Sequence, residues 1–371
     1  MSEEKTVILC AGGSGGHIFP AMAAAEELLQ KGYDVVLFTD CRGENFKNEK
    51  IKVYTIMGEA VSGRSLWHKC VAAVKLGLGT IQSLLLIKKL KPVAVVGFGG
   101  FASVPGGLAA EFFTNIPVVL HEQNAVLGRA NRLLAKRAAL LITSFAKTSM
   151  VPTKTKVKYV GMPVRKEVAE AAASPYPKLT GRTKINLLII GGSQGAAVLS
   201  KIVPAALKLL PESIKKRLNV CQQCRPEDLD NVRLSYIGSG IRTELASFFP
   251  DIPQRMVKAH LIISRAGASS MAEIFTIGRP AILIPYKFAA DNHQYENAFS
   301  LNERGGGWIL KEDTLTSPIL CARLISLFEN PDVLNNAAAC SLIKDSQNVA
   351  YNLSCTIIDV INKNDKNKSD T

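Results

Sequence analysis

The sequence predicts an α/β protein of two doubly wound domains, on three observations. Short β-branched or aliphatic runs alternate with longer stretches of helical period, which is the pattern of parallel sheets. Two of these runs open onto glycine-rich turns, Val7-Ile8-Leu9-Cys10-Ala11-Gly12-Gly13-Ser14-Gly15-Gly16 and Leu187-Leu188-Ile189-Ile190-Gly191-Gly192-Ser193-Gln194-Gly195. Each reads as strand, tight turn and helix start, so the chain carries two equivalent openings. The length of 371 residues suits two cores at about 100 to 200 residues per domain.

In chain order, strands are predicted over Thr6 to Cys10, Asp34 to Thr39, Val93 to Phe98 and Pro117 to Leu120 in the first half. In the second half they are predicted over Ile185 to Ile190, Val232 to Ile237, His260 to Ser264 and Ala281 to Pro285. The first glycine turn leads into a helix over Ile18 to Lys31. Residues 1–163 are expected to form the first domain and 184–361 the second. The stretch 164–183 contains Pro175, Pro177 and Gly181 without a sustained apolar period, which is linker composition. The polar residues 362–371 are expected to be a disordered tail.

Apolar residues make up 47% and charged residues 20%, which excludes disordered, collagenous and low-complexity classes. The net charge of +14 points to an anionic partner. Most of it is local: from Val61 to Pro163 there are fourteen Lys and Arg and only Glu111 and Glu122 as acids. Between Val61 and Lys91 the basic residues are interleaved with Leu66, Trp67, Val71, Val74, Leu76, Leu78, Ile81 and Leu84 to Ile87, a mixture suited to an anionic membrane surface. No run there reaches the roughly 18 uncharged apolar residues of a membrane span, so contact with a membrane is expected rather than crossing. The N-terminus, with Glu3 and Glu4 ahead of a short apolar run, does not fit a secretory signal. The scattered cysteines are expected to be reduced thiols, and Cys221 and Cys224 lack the second pair of a zinc site.

A glycine loop between strand and helix brings free backbone N–H groups and the helix dipole to bear on an anion. Neither loop fits the Walker pattern or the dinucleotide fingerprint, which weakens ATPase and NAD readings. His17 follows the first loop at the start of a helix, a position suited to a general base. His121-Glu122-Gln123-Asn124 follows a strand at the carboxyl edge, where open α/β sheets bind ligands. It is not a zinc-protease motif, because Ala125 stands where the second histidine would be. Ser264 to Glu273 repeats the strand, glycine turn and helix start, and Glu273 lies within reach of a ligand at that helix N-terminus, where a carboxylate accepts from ribose hydroxyls. Asp291-Asn292-His293-Gln294 follows the next strand. Asp228-Leu229-Asp230 has the spacing of a metal-dependent sugar-nucleotide motif, but no clear strand precedes it.

Taken together, Gly12-Gly13-Ser14-Gly15-Gly16-His17, Gly97-Phe98-Gly99-Gly100-Phe101, Pro105-Gly106-Gly107, His121-Glu122-Gln123-Asn124, Gly161-Met162-Pro163-Val164-Arg165, Gly191-Gly192-Ser193-Gln194-Gly195-Ala196 and Arg265-Ala266-Gly267-Ala268 resemble the MurG family. These are the UDP-N-acetylglucosamine:N-acetylmuramyl-(pentapeptide) pyrophosphoryl-undecaprenol N-acetylglucosamine transferases of bacterial peptidoglycan synthesis. The resemblance implies a GT-B fold, two Rossmann-like domains facing a central cleft. No cofactor and no metal-ligand residue is expected, and an effect of an added divalent ion on pyrophosphate departure stays open on sequence. The resemblance implies transfer of N-acetylglucosamine from its UDP sugar to the 4-hydroxyl of the muramyl sugar of lipid I, with inversion, to give lipid II. It also implies a peripheral enzyme on the cytoplasmic face of the inner membrane, with no nucleic-acid partner.

By position, the resemblance places Ser14, Gly15 and Gly16 beside the donor sugar and acceptor diphosphate, and makes Asn124 a donor-sugar contact. His17 leads as the base, with Glu122 as its rival. Arg165 and Ser193 match positions that contact the UDP moiety, with Gln194 beside them. Ala268, Ser269, Ser270, Met271, Ala272 and Glu273 match the segment holding uridine and ribose, and Gln294 completes the donor site. Two departures stand out: Cys221-Gln222-Gln223-Cys224-Arg225 replaces a motif that begins His-Gln, and His293 stands where glutamine is common. Two alternatives remain open on sequence: another GT-B sugar-nucleotide enzyme, such as a UDP-N-acetylglucosamine 2-epimerase, and a basic nucleic-acid-binding protein. Against the second, the basic segment has few aromatics for stacking and no recognised nucleic-acid module.

Overall fold

The computed structural model of the chain describes residues 5–12, 15–41, 49–58, 66–172, 174–192, 195–344 and 346–369. It divides into two units, Met1–Arg165 with Asn348–Thr371, and Lys166–Gln347. The first unit runs β1 (Thr6–Cys10), α1 (Gly15–Gln30), β2 (Asp34–Thr39), β3 (Lys52–Thr55), α2 (Leu66–Leu90), β4 (Ala94–Gly97), α3 (Ser103–Phe113), β5 (Val118–Glu122), α4 (Arg129–Leu134), β6 (Leu140–Thr143) and β7 (Val157–Tyr159). The second begins α5 (Lys166–Ala171), β8 (Ile185–Ile190), α6 (Ala197–Lys208), α7 (Glu212–Lys215), β9 (Leu218–Gln223), α8 (Leu229–Tyr236), β10 (Arg242–Ala246), α9 (Ile252–Lys258), β11 (Leu261–Ser264) and α10 (Ala268–Ile277). It continues β12 (Ala281–Leu283), α11 (His293–Glu303), β13 (Gly307–Ile309), α12 (Ser317–Glu329) and α13 (Pro331–Ser341), after which α14 (Val349–Ser369) rejoins the first unit.

Each unit is built on one all-parallel sheet, ordered β3-β2-β1-β4-β5-β6-β7 and β10-β9-β8-β11-β12-β13. Alternation along β1 shows why both faces are covered. Val7 and Leu9 face α1, through Ile18, Ala21, Ala25 and Leu28, while Ile8 and Cys10 face Ile87, Ala109 and Ala110 on the other side. The second sheet is covered in the same way, with Leu199, Val203 and Leu207 of α6 on Leu187 and Ile189 of β8.

Three expectations are corrected. Val232 to Ile237 lies in α8 and its C-cap, not in a strand: Val232 and Tyr236, one turn apart, are buried, while Leu234 and Ile237 are exposed. The residues that pair in the sheet there are Leu218–Gln223 and Arg242–Ala246. Residues 349–361, assigned to the second domain, and 362–369 of the tail assigned to disorder instead form α14, while 370–371 lie outside the described residues. Leu353, Ile357 and Ile361 of this helix are fully buried in the first core, and Lys5 Nζ pairs with Asp365 at 3.0 Å. Its polar end is carried on a helix whose apolar stripe is already anchored.

The stretch 164–183 is not a free tether either. It contains α5, and Arg279 binds the carbonyls of Ser174 and Pro175 at 3.4 and 3.1 Å. Asn335 completes the anchoring, with Oδ1 accepting from the Leu179 N–H at 3.1 Å and Nδ2 donating to the Leu179 carbonyl at 3.3 Å.

Candidate active site

The first sheet changes its direction of winding between β1 and β4, and ligands of doubly wound sheets bind outside the carboxyl ends of the strands at that point. Here the Gly12 N–H donates to the Gly99 carbonyl at 3.2 Å, joining the loops after β1 and β4. His17, in the first turn of α1, lies against them. A Cβ on Gly99 would stand 3.1 Å from His17 Cε1, and one on Gly100 would stand 3.3 Å from Cδ2; φ is +84° and +74° at these glycines. A side chain at either would push the ring away and strain the backbone. Nothing among the described residues lies within 4 Å of a Cβ placed on Gly16, which leaves room above the first turn of α1.

His17 Nδ1 is 3.1 Å from Gln123 Oε1. Gln123 Nε2 is 3.0 Å from His121 Nδ1 and 3.1 Å from the His121 carbonyl, and His121 Nε2 is 3.0 Å from the Gly161 carbonyl. His121 is fully buried. Burial pushes its pKa down to about 4 against the pull of the Gly161 hydrogen bond, with the His17 charge adding to the depression, so the ring is neutral near pH 7.

Glu122 faces the other way, since successive side chains at a strand end alternate. Its Oε1 accepts from the Asn124 N–H at 3.0 Å and Nδ2 at 3.2 Å; its Oε2 accepts from the Gly128 N–H and Asn131 Nδ2, both at 2.9 Å. Four donors commit this carboxylate to holding the 124–128 turn and the start of α4. The His121-Glu122-Gln123-Asn124 cluster therefore splits in two, with Gln123 serving His17 and Glu122 tying down Asn124.

In the second unit the equivalent switch point lies between β8 and β11. α6 and α10 begin there, after Ala196 and Gly267 caps that supply no side-chain hydrogen bond, so backbone N–H groups of their first turns are left for an anion. Ala268, Ser269, Ser270, Ala272 and Glu273 are half-buried on the first turns of α10. Met271 differs: its side chain is wholly in the core and its N–H bonds the Gly267 carbonyl. Gln294 stands in the first turn of α11, with Oε1 accepting from the Tyr286 N–H at 3.0 Å. The turn before it holds Asp291 and Asn292 at φ of +50° and +56°, an unusual pair for non-glycine residues. Arg165 is exposed at the end of the first unit. Ser14, Ser193 and Gln194 lie outside the described residues.

Two supporting residues, Asn297 and Glu312, have no counterpart in the sequence reading. Asn297, fully buried, donates to the Ala266 carbonyl at 3.0 Å and fastens α11 to the 265–267 turn. Arg265 donates to Glu312 at 2.8 Å and to the Ile284 carbonyl at 3.1 Å. Burial works against the charge on Glu312, but Arg265 and the Lys287 N–H outweigh it and hold the carboxyl below its usual range. In the substituted motif, buried Gln222 accepts from the Tyr236 hydroxyl at 2.7 Å, while Asp228 and Asp230 are paired with Arg225 and Arg233. The Asp228-Leu229-Asp230 spacing therefore serves two ion pairs. The signal for Asn297 and Glu312 was absent because their partners lie far away in the chain, Asn297 acting across 31 residues and Glu312 across 25 and 47.

The two parallel-sheet units, each opening on a helix N-terminus at its switch point, place the chain in the class of GT-B glycosyltransferases. A solved structure described as Acinetobacter baumannii MurG matches with a TM-score of 0.79 and 29% identity, covering 97% of this chain and 99% of that one. The N-terminal and C-terminal domain models of glycosyltransferase family 28 match residues 7–142 and 186–353. Relatives from Paramagnetospirillum magneticum and Granulibacter bethesdensis are 47% and 44% identical, over 92% and 90% of this chain and 93% and 88% of theirs. Both bear the name UDP-N-acetylglucosamine:N-acetylmuramyl-(pentapeptide) pyrophosphoryl-undecaprenol N-acetylglucosamine transferase. The chain belongs to glycosyltransferase family 28 and, within it, to the MurG family.

Proposed function

We propose that this chain transfers N-acetylglucosamine from UDP-N-acetylglucosamine to the 4-hydroxyl of the muramyl sugar of lipid I, with inversion, to form lipid II. The observation that carries the mechanism is His17 at a switch-point helix start, with Nδ1 engaged by buried Gln123 and, among the described residues, no hydrogen-bond partner on Nε2. Nε2 takes the hydroxyl proton as the oxygen attacks the anomeric carbon; the bond from that carbon to the diphosphate oxygen breaks, and UDP leaves with the electron pair. Backbone N–H groups at the starts of α6 and α10, with Ser193 and Gln194, receive the diphosphate charge. Glu273 accepts from the ribose hydroxyls, Ser269 and Ser270 border the nucleoside, Gln294 and Asn124 contact the donor sugar, and Arg165 contacts the UDP moiety. The saturated carboxylate of Glu122 leaves the proton to His17.

Incubation with radiolabelled UDP-N-acetylglucosamine and a lipid I analogue, omitting each in turn, tests this reading. Label is expected in a lipid product only when both are present. Conversion of the UDP sugar to an epimer without acceptor would replace transferase with epimerase.

The basic, apolar segment supports peripheral attachment to an anionic membrane, at the cytoplasmic face. Cys70–Leu90 is long and apolar enough to cross a membrane by length and composition only, and it carries Lys75, Lys88 and Lys89. The helix nevertheless has two distinct faces. Ala72, Gly79, Ser83 and Ile87 are buried, and Gln82 is bound to the Met57 N–H and the Thr55 carbonyl. Val74, Leu78, Ile81 and Leu85, spaced by four, three and four residues, are 50 to 64% exposed. One face docks on the unit, and the other presents an apolar stripe beside Lys88 and Lys89, the arrangement of a helix lying in an interface.

Changing Lys88, Lys89 and Lys91 to Glu should weaken binding to anionic vesicles by at least about 10²-fold, at ~1 kcal/mol for each lysine near the surface. Co-sedimentation at two salt concentrations measures this. Binding that is insensitive to both salt and these changes would refute electrostatic attachment.

A further inference from the structure

The form of the His17 ring is decided by groups that lie behind it. The His121 carbonyl oxygen can only accept, and Gln123 Nε2 is 3.1 Å away, so that end of the side chain is the NH2 group. The flipped amide would press two oxygens together in a buried site. The same NH2 faces His121 Nδ1 at 3.0 Å, which is therefore the bare nitrogen. The far side of that ring agrees, because Nε2 faces the Gly161 carbonyl at 3.0 Å and must carry the hydrogen. Two acceptors thus fix Gln123 independently. Its Oε1 is left toward His17 Nδ1 at 3.1 Å, and an amide oxygen cannot donate, so Nδ1 bears the hydrogen.

We infer that Gln123 and His121 are positioning residues that lock His17 in the Nδ1–H tautomer, leaving the lone pair on Nε2 as the one that takes the acceptor proton. This rests on His17 being the base. Histidine free in water favours the other tautomer, with hydrogen on Nε2, so without the lock the majority form has its reactive nitrogen blocked. Burial supports the assignment: Gln123 and His121 are 1% and 0% exposed, and neither has water to offer an alternative partner. The relay ends on a backbone carbonyl and contains no carboxylate. When Nε2 takes the proton, Nδ1–H keeps donating to Gln123 Oε1, and the new proton leaves from Nε2; Gln123 and His121 exchange none.

The test is a long-range proton–nitrogen correlation spectrum of the full chain labelled with nitrogen-15 at histidine, with His17 assigned by its loss in His17→Ala. The wild type is expected to show a protonated Nδ1 and a bare Nε2 on neutral His17. Gln123→Leu should move the hydrogen toward Nε2 and lower kcat by about 10²-fold, with KM for the UDP sugar within about twofold. His121→Leu should shift the tautomer in the same direction by freeing the Gln123 amide. A wild-type ring with hydrogen on Nε2, or a tautomer unchanged in Gln123→Leu, would overturn the lock, and the wild-type spectrum decides this even if a variant fails to fold. Full turnover by His17→Ala with the Nδ1–H signature intact in the wild type would instead remove the base assignment.

Discussion

Replacing His17 with alanine is expected to lower turnover by about 10²- to 10⁴-fold, the range that a positioned general base contributes. Affinity for the UDP sugar should stay nearly unchanged, because His17 acts on the acceptor hydroxyl and the proposed donor contacts in the second unit are untouched. Glu273→Ala is the contrasting variant, expected to raise KM for the UDP sugar more than it lowers kcat. Steady-state kinetics with both substrates varied separates the two. Full turnover by His17→Ala would return the base to Glu122. That outcome would require Glu122 to work while its two oxygens accept from Asn124, Gly128 and Asn131.

Replacing Arg279 with leucine is expected to destabilise the second unit by about 3 to 5 kcal/mol, since several buried carbonyls would lose charge-assisted partners at once. Arg279 is 1% exposed, and its guanidinium donates to the carbonyls of Val257, Ile277, Gly278, Ser174 and Pro175. Burial pushes its pKa down to about 10 against the pull of Tyr176, still well above neutral, so the group remains charged. Among the described residues no carboxylate neutralises it; five carbonyl dipoles and the Tyr176 ring, 5.6 Å away, do so instead. Arg279→Lys keeps the charge but not the planar fork, and should recover only part of the loss. Denaturant unfolding that resolves the two units would show it, and a midpoint for the second unit within error of wild type would refute the account.

The candidate site was legible where chemistry and position coincide along the chain. His17 was a candidate on sequence because a side chain directly after a glycine turn and at a helix start can face a ligand held by that loop. Glu273 was visible for the same reason at the start of α10. Gln123 was visible as part of a polar cluster but not as a positioning residue, although strand alternation offered the signal: His121 and Gln123 share one side and Glu122 takes the other. Met271 was included as one of a run of six, and only the structure shows its side chain turned into the core. α8 was misread because Val232 to Ile237 satisfies both a two-residue and a four-residue period over so short a span.

By itself the sequence determined the α/β class, the two glycine openings, the concentration of charge in the first half and the family. These follow from local periodicity, turn chemistry and motif order, each written within a few neighbouring residues. Tertiary structure alone decided that α14 closes the first core, that 174–176 are pinned by Arg279, and that α2 buries one face and leaves the Val74, Leu78, Ile81 and Leu85 stripe exposed. It also decided which nitrogen of His17 is bare. Each of these depends on contacts between residues far apart in the chain, and the direction of a hydrogen bond or of a buried face is fixed only when both partners are in place.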